Sequence, residues 1–245
     1  MRFDIITLFP EMIENYFNFS ILKRANDNNI INFFTHNPRD FSKSKHKKVD
    51  DTPYGGGDGM VLMCEPFFDA YNSFEKKENS KTILLSPQGK QFTHKMSLEF
   101  SNYEQVILIC GHYEGFDERI RTGLNCIEVS IGDFVLTGGE LPALCIIDSI
   151  TRNLEGALGK ITSSYTDTFA DGLLEYPQYT RPETYNGENV PEILLSGNHE
   201  KIALWRRKQQ LLRTRDKRPD LFKNFIQKCE DKIDKKLVNE ILRGD

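Results

Sequence analysis

The five cysteines of this chain include no C-x-x-C pair, and they lie far apart at Cys64, Cys110, Cys126, Cys145 and Cys229. That spacing argues against a zinc site or a disulfide framework and suits a reducing cytosol. No net positive charge is present either. The 245 residues sum to -4, so any nucleic-acid contact must come from local patches. No apolar run is long enough to span a bilayer. The N-terminus carries Arg2 and Asp4 and turns directly into fold-like sequence, so no signal peptide is expected. Two nucleotide signatures fail as well. The glycine cluster at Gly55–Gly59 does not fit G-x-G-x-x-G, because Met60 stands where the last glycine belongs. The stretch E-G-A-L-G-K-I-T has Leu154 in place of the first glycine of a phosphate loop, and Ile161 follows its lysine.

What is present is a succession of short apolar runs. Phe3 to Phe9 reads as a strand ended by Pro10, which suits the first turn of a helix. Ser20 is a candidate cap for a second helix, and Ile30 to Thr35 reads as the next strand. A basic cluster follows, Lys43, Lys45, His46, Lys47 and Lys48, either a solvated loop or a phosphate contact. Asp50 to Met60 holds four glycines and reads equally as a flexible tether or as a mobile loop near a ligand. Glu65 to Lys77 reads as a helix. Thr82 to Leu85, Val106 to Cys110 and Ile127 to Ser130 read as buried strands, and Leu141 to about Leu154 as a helix. Buried strands alternating with helices imply an α/β fold with a mostly parallel sheet.

Each of the last three strands is followed by a loop rich in glycine or proline: S-P-Q-G, G-H-Y-E-G and I-G-D-F-V-L-T-G-G. In open α/β sheets ligands bind outside the carboxyl ends of strands, so three such loops form a site if their strands are neighbours. The last loop is both glycine-bearing and apolar, which fits backbone wrapped around a flat, partly apolar ligand. It also fits a tight strand-to-helix turn that closes the core.

Gly159 to Tyr176 shows little periodicity and reads as an interdomain linker. From Pro191 the chain reads as helical, with Asn198 as a cap and Leu204, Trp205, Leu211 and Leu212 on one apolar side. Between Ser196 and Lys223 nine Lys or Arg face three Asp or Glu, a local charge of +6. A solvated surface or a nucleic-acid-facing domain would account for it.

Taken in order, Y-G-G-G-D-G-M, L-S-P-Q-G, G-H-Y-E-G-F-D-E-R, S-I-G-D-F-V-L-T-G-G-E-L-P-A, D-T-F-A-D-G-L-L, Y-T-R-P-E and L-L-S-G-N-H make the chain resemble the bacterial tRNA (guanine-N1)-methyltransferases. These are the TrmD family of the SPOUT superfamily. The resemblance covers roughly residues 1 to 220. It implies a SPOUT-type α/β domain with a deep trefoil knot over 1–158, a linker over 159–176, and a helical, basic tRNA-binding domain over 177–245. It further implies a cytoplasmic homodimer with shared active sites. The activity would be methylation of N1 of guanine at tRNA position 37, in the anticodon stem-loop, with S-adenosylmethionine as donor. Magnesium is associated with that activity, and the residues do not place its site.

Carried over by motif, the cofactor pocket would comprise Leu85, Ser86, Pro87, Gly111, Ile131, Gly132, Asp133, Phe134, Val135, Leu136, Gly138 and Gly139. Asp167 would be the general base for the guanine N1 proton, and Arg152 would stabilise charge growing on O6. Glu114 and Ser163 would contact the substrate. Without the resemblance, Asp167 reads as the N-cap of a turn of helix in the linker, Arg152 as the surface partner of Glu155, and Glu114 as a surface carboxylate. Phe134, His112 and Gln178 stand where some relatives have tyrosine, arginine and histidine. Three other functions compete: a SPOUT ribose 2′-O-methyltransferase, a dinucleotide-dependent oxidoreductase and a non-catalytic RNA-binding protein.

Overall fold

The computed structural model describes residues 1–158 and 167–243. The chain divides into two compact units, Met1–Ile161 and Thr162–Asp245.

In the first unit, β1 (Arg2–Ile6), β2 (Asn32–His36), β5 (Ser80–Gln91), β6 (Gln105–Ile109) and β7 (Ile127–Ser130) form one sheet in the order β2-β1-β6-β5-β7. Every pairing in it is parallel. The central strand β6, Q-V-I-L-I, is buried along its whole length, as a parallel strand covered on both faces must be. Side chains alternate between the two faces. Ile83, Val106 and Leu108 pack with α1 (Pro10–Tyr16), α2 (Ser20–Asp27), α4 (His94–Phe100) and α6 (Glu140–Thr151). Leu84, Ile107 and Ile109 pack with α3 (Cys64–Asn72) and α5 (Glu118–Gly123). The short strands β3 (Asp50–Asp51) and β4 (Val61–Leu62) pair antiparallel at the base of the glycine-rich loop.

Three local expectations change. The first strand ends at Ile6 rather than Phe9, because the Thr7 hydroxyl accepts from Phe9 N–H at 2.9 Å and turns the chain out of the ladder. Ser20 does not cap α2: it is already the first helical residue, at φ 52°, and the cap position is Phe19 with no side-chain hydrogen bond. S-P-Q-G does not end its strand either. β5 runs on to Gln91, and Val129 pairs first with Leu85 and then with Lys90. Residues 86–89 are therefore a bulge between two stretches of one ladder. Pro87 has no N–H to give there. A Cβ on Gly89 would lie 2.4 Å from Val129 N, which only glycine avoids.

Asp4 on β1 is wholly buried. It accepts from Arg2 Nε and Nη2 at 2.7 Å each and from Gln105 Nε2 at 2.6 Å, and His36 Nε2 lies 2.8 Å away. Burial pushes its carboxyl up. The bonds to His36, Arg2 and Gln105 outweigh that and hold it below the usual carboxylate range. A depressed folded-state pKa contributes stability that is present above the unfolded value, near about 4, and is lost as pH falls through the folded value. Asp4→Asn should therefore lower unfolding stability by about 2 kcal/mol at pH 7. In urea titrations the gap from the wild type should narrow on acidification.

In the second unit, β8 (Thr184–Tyr185) and β9 (Glu188–Asn189) form a hairpin. Its turn residues Asn186 and Gly187 both have positive φ, at 51° and 83°. The helices are α7 (Glu192–Leu195), α8 (His199–Lys217), α9 (Pro219–Lys228) and α10 (Lys232–Arg243). Asn198 caps α8 as expected, its Oδ1 accepting from Lys201 N–H at 3.1 Å. The core joins Leu173, Leu211, Phe222, Leu237, Val238 and Ile241. Bonds from Arg207 to Asp234 and from Arg215 to the Ile241 carbonyl lay α10 along residues 207–215 of α8. Leu204 precedes that stretch and stays exposed, so the apolar side expected of α8 is buried only in its later half.

Candidate active site

The bulge at residues 86–89 of β5 and the loops that leave the carboxyl ends of its neighbours β6 and β7 converge on one cleft of about 330 Å³. β5 contributes Leu85, Ser86 and Pro87. The loop after β6 contributes Gly111, His112, Tyr113 and Glu114. The loop after β7 contributes Ile131, Gly132, Phe134, Val135, Leu136, Gly138 and Gly139. Asp133 lies in the same loop but is exposed and does not line the cleft.

The cleft is held by close backbone contact. Gly139 N–H donates to Gly111 O at 2.9 Å, and a Cβ on Gly139 would lie 2.7 Å from Cys110 Cα. A Cβ on Gly138 would lie 2.1 Å from His112 Nε2. Ser130 Oγ donates to Gly132 O at 2.9 Å and accepts from Gly132 N–H at 3.1 Å, folding the start of the loop back on its strand. The apolar side chains of this loop stay open, with Val135 82% and Phe134 54% exposed. An apolar wall around backbone polar groups fits a flat heterocycle with hydrogen-bonding edges.

Behind the cleft lies a polar network that the sequence reading missed. Glu140, the first residue of α6, is 1% exposed. Thr7 Oγ1 donates to its Oε1 at 2.6 Å, and His112 Nε2 lies 3.0 Å from its Oε2. A carboxylate at a helix N-terminus also gains from the helix dipole. The network ties the ends of β1 and β6 to the start of α6. Burial, and then the nearby Glu140, push the Cys110 thiol well up, so it is no nucleophile. Arg121 of α5 also lines the cleft, paired with Glu118 at 2.6 Å and Glu128 at 2.9 Å. Nothing in its sequence neighbourhood distinguished it.

The glycine-rich loop is anchored beside the cleft. Glu114 N–H donates to Met60 O at 3.0 Å, Leu62 N–H donates to Gly115 O at 2.9 Å, and Gly59 abuts the Glu114 side chain. Gly55, Gly56, Gly57 and Gly59 all have positive φ, and Tyr54 is fully exposed. Three lysines of the basic cluster face carboxylates of their own surface: Lys43 with Glu65, Lys47 with Asp40 and Lys48 with Asp51.

Arg152 is the C-cap residue of α6 in the first unit and is exposed. Asp167 belongs to the second unit, where it opens a tight turn rather than a helix. Its carbonyl accepts from Ala170 N–H at 3.1 Å, and Phe169 N–H donates to Leu173 O at 2.8 Å with Phe169 at φ 76°. Leu173 is buried, Leu174 N–H donates to Thr214 Oγ1 at 2.9 Å, and Asp171 pairs with Arg207. Ser163 lies outside the described residues, as does the 159–166 part of the expected 159–176 linker, whose described residues include Leu173 and Leu174 packed on the second unit. Among the described residues no group of three or more His, Cys, Asp or Glu converges to hold a metal.

The family model for tRNA (Guanine-1)-methyltransferase TrmD matches residues 1–224. A tRNA (guanine-N(1)-)-methyltransferase of Dehalococcoides mccartyi is 51% identical over 244 residues, 99% of this chain and 97% of its own. Proteins of that name from Staphylococcus aureus and Staphylococcus carnosus are 51% and 53% identical, over 95% and 94% of both chains.

Proposed function

Since the chain belongs to the TrmD family of tRNA (guanine-1)-methyltransferases, we propose that it methylates N1 of guanine at tRNA position 37, next to the anticodon, with S-adenosylmethionine as donor. The observation that carries this reading is the convergence of the β5 bulge and the loops after β6 and β7 on one cleft, within a chain that matches the family almost end to end. When bound, the donor supplies an electrophilic methyl group on a sulfonium. Backbone groups of the Ile131–Leu136 loop would meet the adenine edge, and Leu85, Pro87, Phe134 and Val135 would pack the rings. Ser86, Gly111, Gly132, Gly138 and Gly139 let the backbone close around them. Asp133 belongs to the same loop and does not line the cleft.

Guanine N1 carries a proton at neutral pH, so its lone pair is not free. Asp167 takes that proton. Arg152 meets the negative charge that grows on O6 as the proton leaves. Glu114 holds the guanine edge, and Ser163 contacts the base. Magnesium would assist the activity, and among the described residues no cluster of His, Cys, Asp or Glu is placed to hold it.

The protein would act in the cytoplasm, and among the described residues no helix is long and apolar enough to cross a membrane. A homodimer would cover exposed apolar side chains such as Met12 and Tyr16 of α1 and Leu141 of α6. In that dimer Asp167 of one copy serves tRNA held on the cleft of the other. The first unit would carry the family's trefoil knot. The test is transfer of labelled methyl to a tRNA transcript with guanine at position 37, and to one with adenine there. Label on the first alone supports the reading; equal label on both counts against it.

A further inference from the structure

The arginines of α8 and its C-terminal cap are mostly matched within the second unit. Arg207 pairs with Asp234 and Asp171, Arg215 with Asp216, and Arg218 with Asp220. Arg206 is different. Among the described residues it has no carboxylate partner, and its guanidinium lies over the ring of Tyr176, 4.8 Å from the centroid. Arg181 likewise has no carboxylate partner among the described residues. Both arginines line one cleft of about 480 Å³, together with Tyr176, Tyr179, Glu183 and Leu194.

This combination has a chemical meaning. Tyrosine rings and guanidinium planes are the surfaces on which proteins stack unstacked RNA bases, and cations without a carboxylate partner are the ones available to phosphate. Tyr179 is half-exposed, so its ring is not committed to the core. Leu194 adds an apolar wall, and Glu183 adds an acceptor for an exocyclic amine, which uracil lacks. The volume lies within the roughly 300–1,000 Å³ of small-ligand sites, so a nucleotide has room.

We propose that this cleft receives one unstacked, amine-bearing base of the substrate tRNA, with Tyr179 as its stacking platform and Arg181 and Arg206 at the flanking phosphates. The inference rests on the tRNA-methylating reading and adds a second RNA contact, built within the second unit alone.

The test uses the full-length protein and the position-37 guanine transcript. Tyr179→Ala should weaken tRNA binding about ten-fold, Tyr179→Phe should bind as the wild type, and Arg206→Ala should weaken binding and flatten its salt dependence. S-adenosylmethionine affinity and kcat at saturating tRNA should stay at wild-type values in all three. With 2-aminopurine placed singly at each purine of the anticodon loop, one position should be quenched on binding by the wild type and by Tyr179→Phe, and not by Tyr179→Ala. A purine occupant is identified by the quenched position, and its absence together with a Tyr179-dependent loss of binding assigns the cleft to cytosine, the remaining amine-bearing base. Unchanged binding by Tyr179→Ala, or equal losses for Ala and Phe, would overturn the proposal. If the wild type methylates the transcript in those cases, the cleft assignment alone fails. A wild type that binds the donor but neither binds nor methylates tRNA removes the parent reading as well.

Discussion

Asp167→Asn is expected to lower methyl transfer to tRNA by about 10²- to 10⁴-fold while S-adenosylmethionine affinity stays at the wild-type value. The amide keeps the size and shape of the side chain but cannot take the guanine proton. The turn that carries it is fixed by the Ala170–Asp167 and Phe169–Leu173 bonds, by buried Leu173 and by Leu174 on Thr214, none of which uses the Asp167 side chain. The loss should therefore fall on kcat, with little change in the KM for either substrate. Single-turnover rates with saturating donor and tRNA, beside a calorimetric titration of the donor, separate the two quantities. A variant within ten-fold of the wild type would keep the family assignment but remove Asp167 as the base.

Gly139→Ala should lower donor affinity by about 100-fold and lower stability by about 1–3 kcal/mol. The added carbon would sit 2.7 Å from Cys110 Cα and 2.8 Å from Gly111 N. Both are main-chain atoms at the end of a buried strand, so no side chain can swing aside. Relief requires that α6 and the end of β6 separate, which breaks the Gly139–Gly111 bond and displaces a wall of the cleft. Calorimetry with the donor and thermal melts check both parts. Wild-type affinity in a folded variant would mean that this close approach does not shape the donor site.

The residues made some of this legible and hid the rest for identifiable reasons. The β6 run was readable because a strand buried on both faces is apolar throughout, and the three loops because glycine and proline interrupt such runs visibly. Whether the loops meet depends on strand order, which is long-range; placing β5 between β6 and β7 makes them one cleft. The bulge at Ser86–Gly89 was hidden for the same reason, since it exists only because Val129 pairs twice with β5. Glu140 looked like a polar residue opening a helix. Its burial follows from Thr7, which is 133 positions away in sequence. Leu204 and Leu211 carry the same periodic signal, yet only Leu211 reaches the core, because α10 lies along the later half of α8. Asp167 sits in a segment without periodicity, and its turn is ordered by Thr214 and Arg207 rather than by its neighbours.

The most direct test of the central claim is to digest the tRNA after reaction with S-adenosylmethionine and identify the methylated nucleoside and its position by mass spectrometry. The account predicts N1-methylguanosine at position 37 and no other methylated product. A 2′-O-methyl ribose, a methyl group on another base or position, or unmodified tRNA from protein that binds the donor would contradict it.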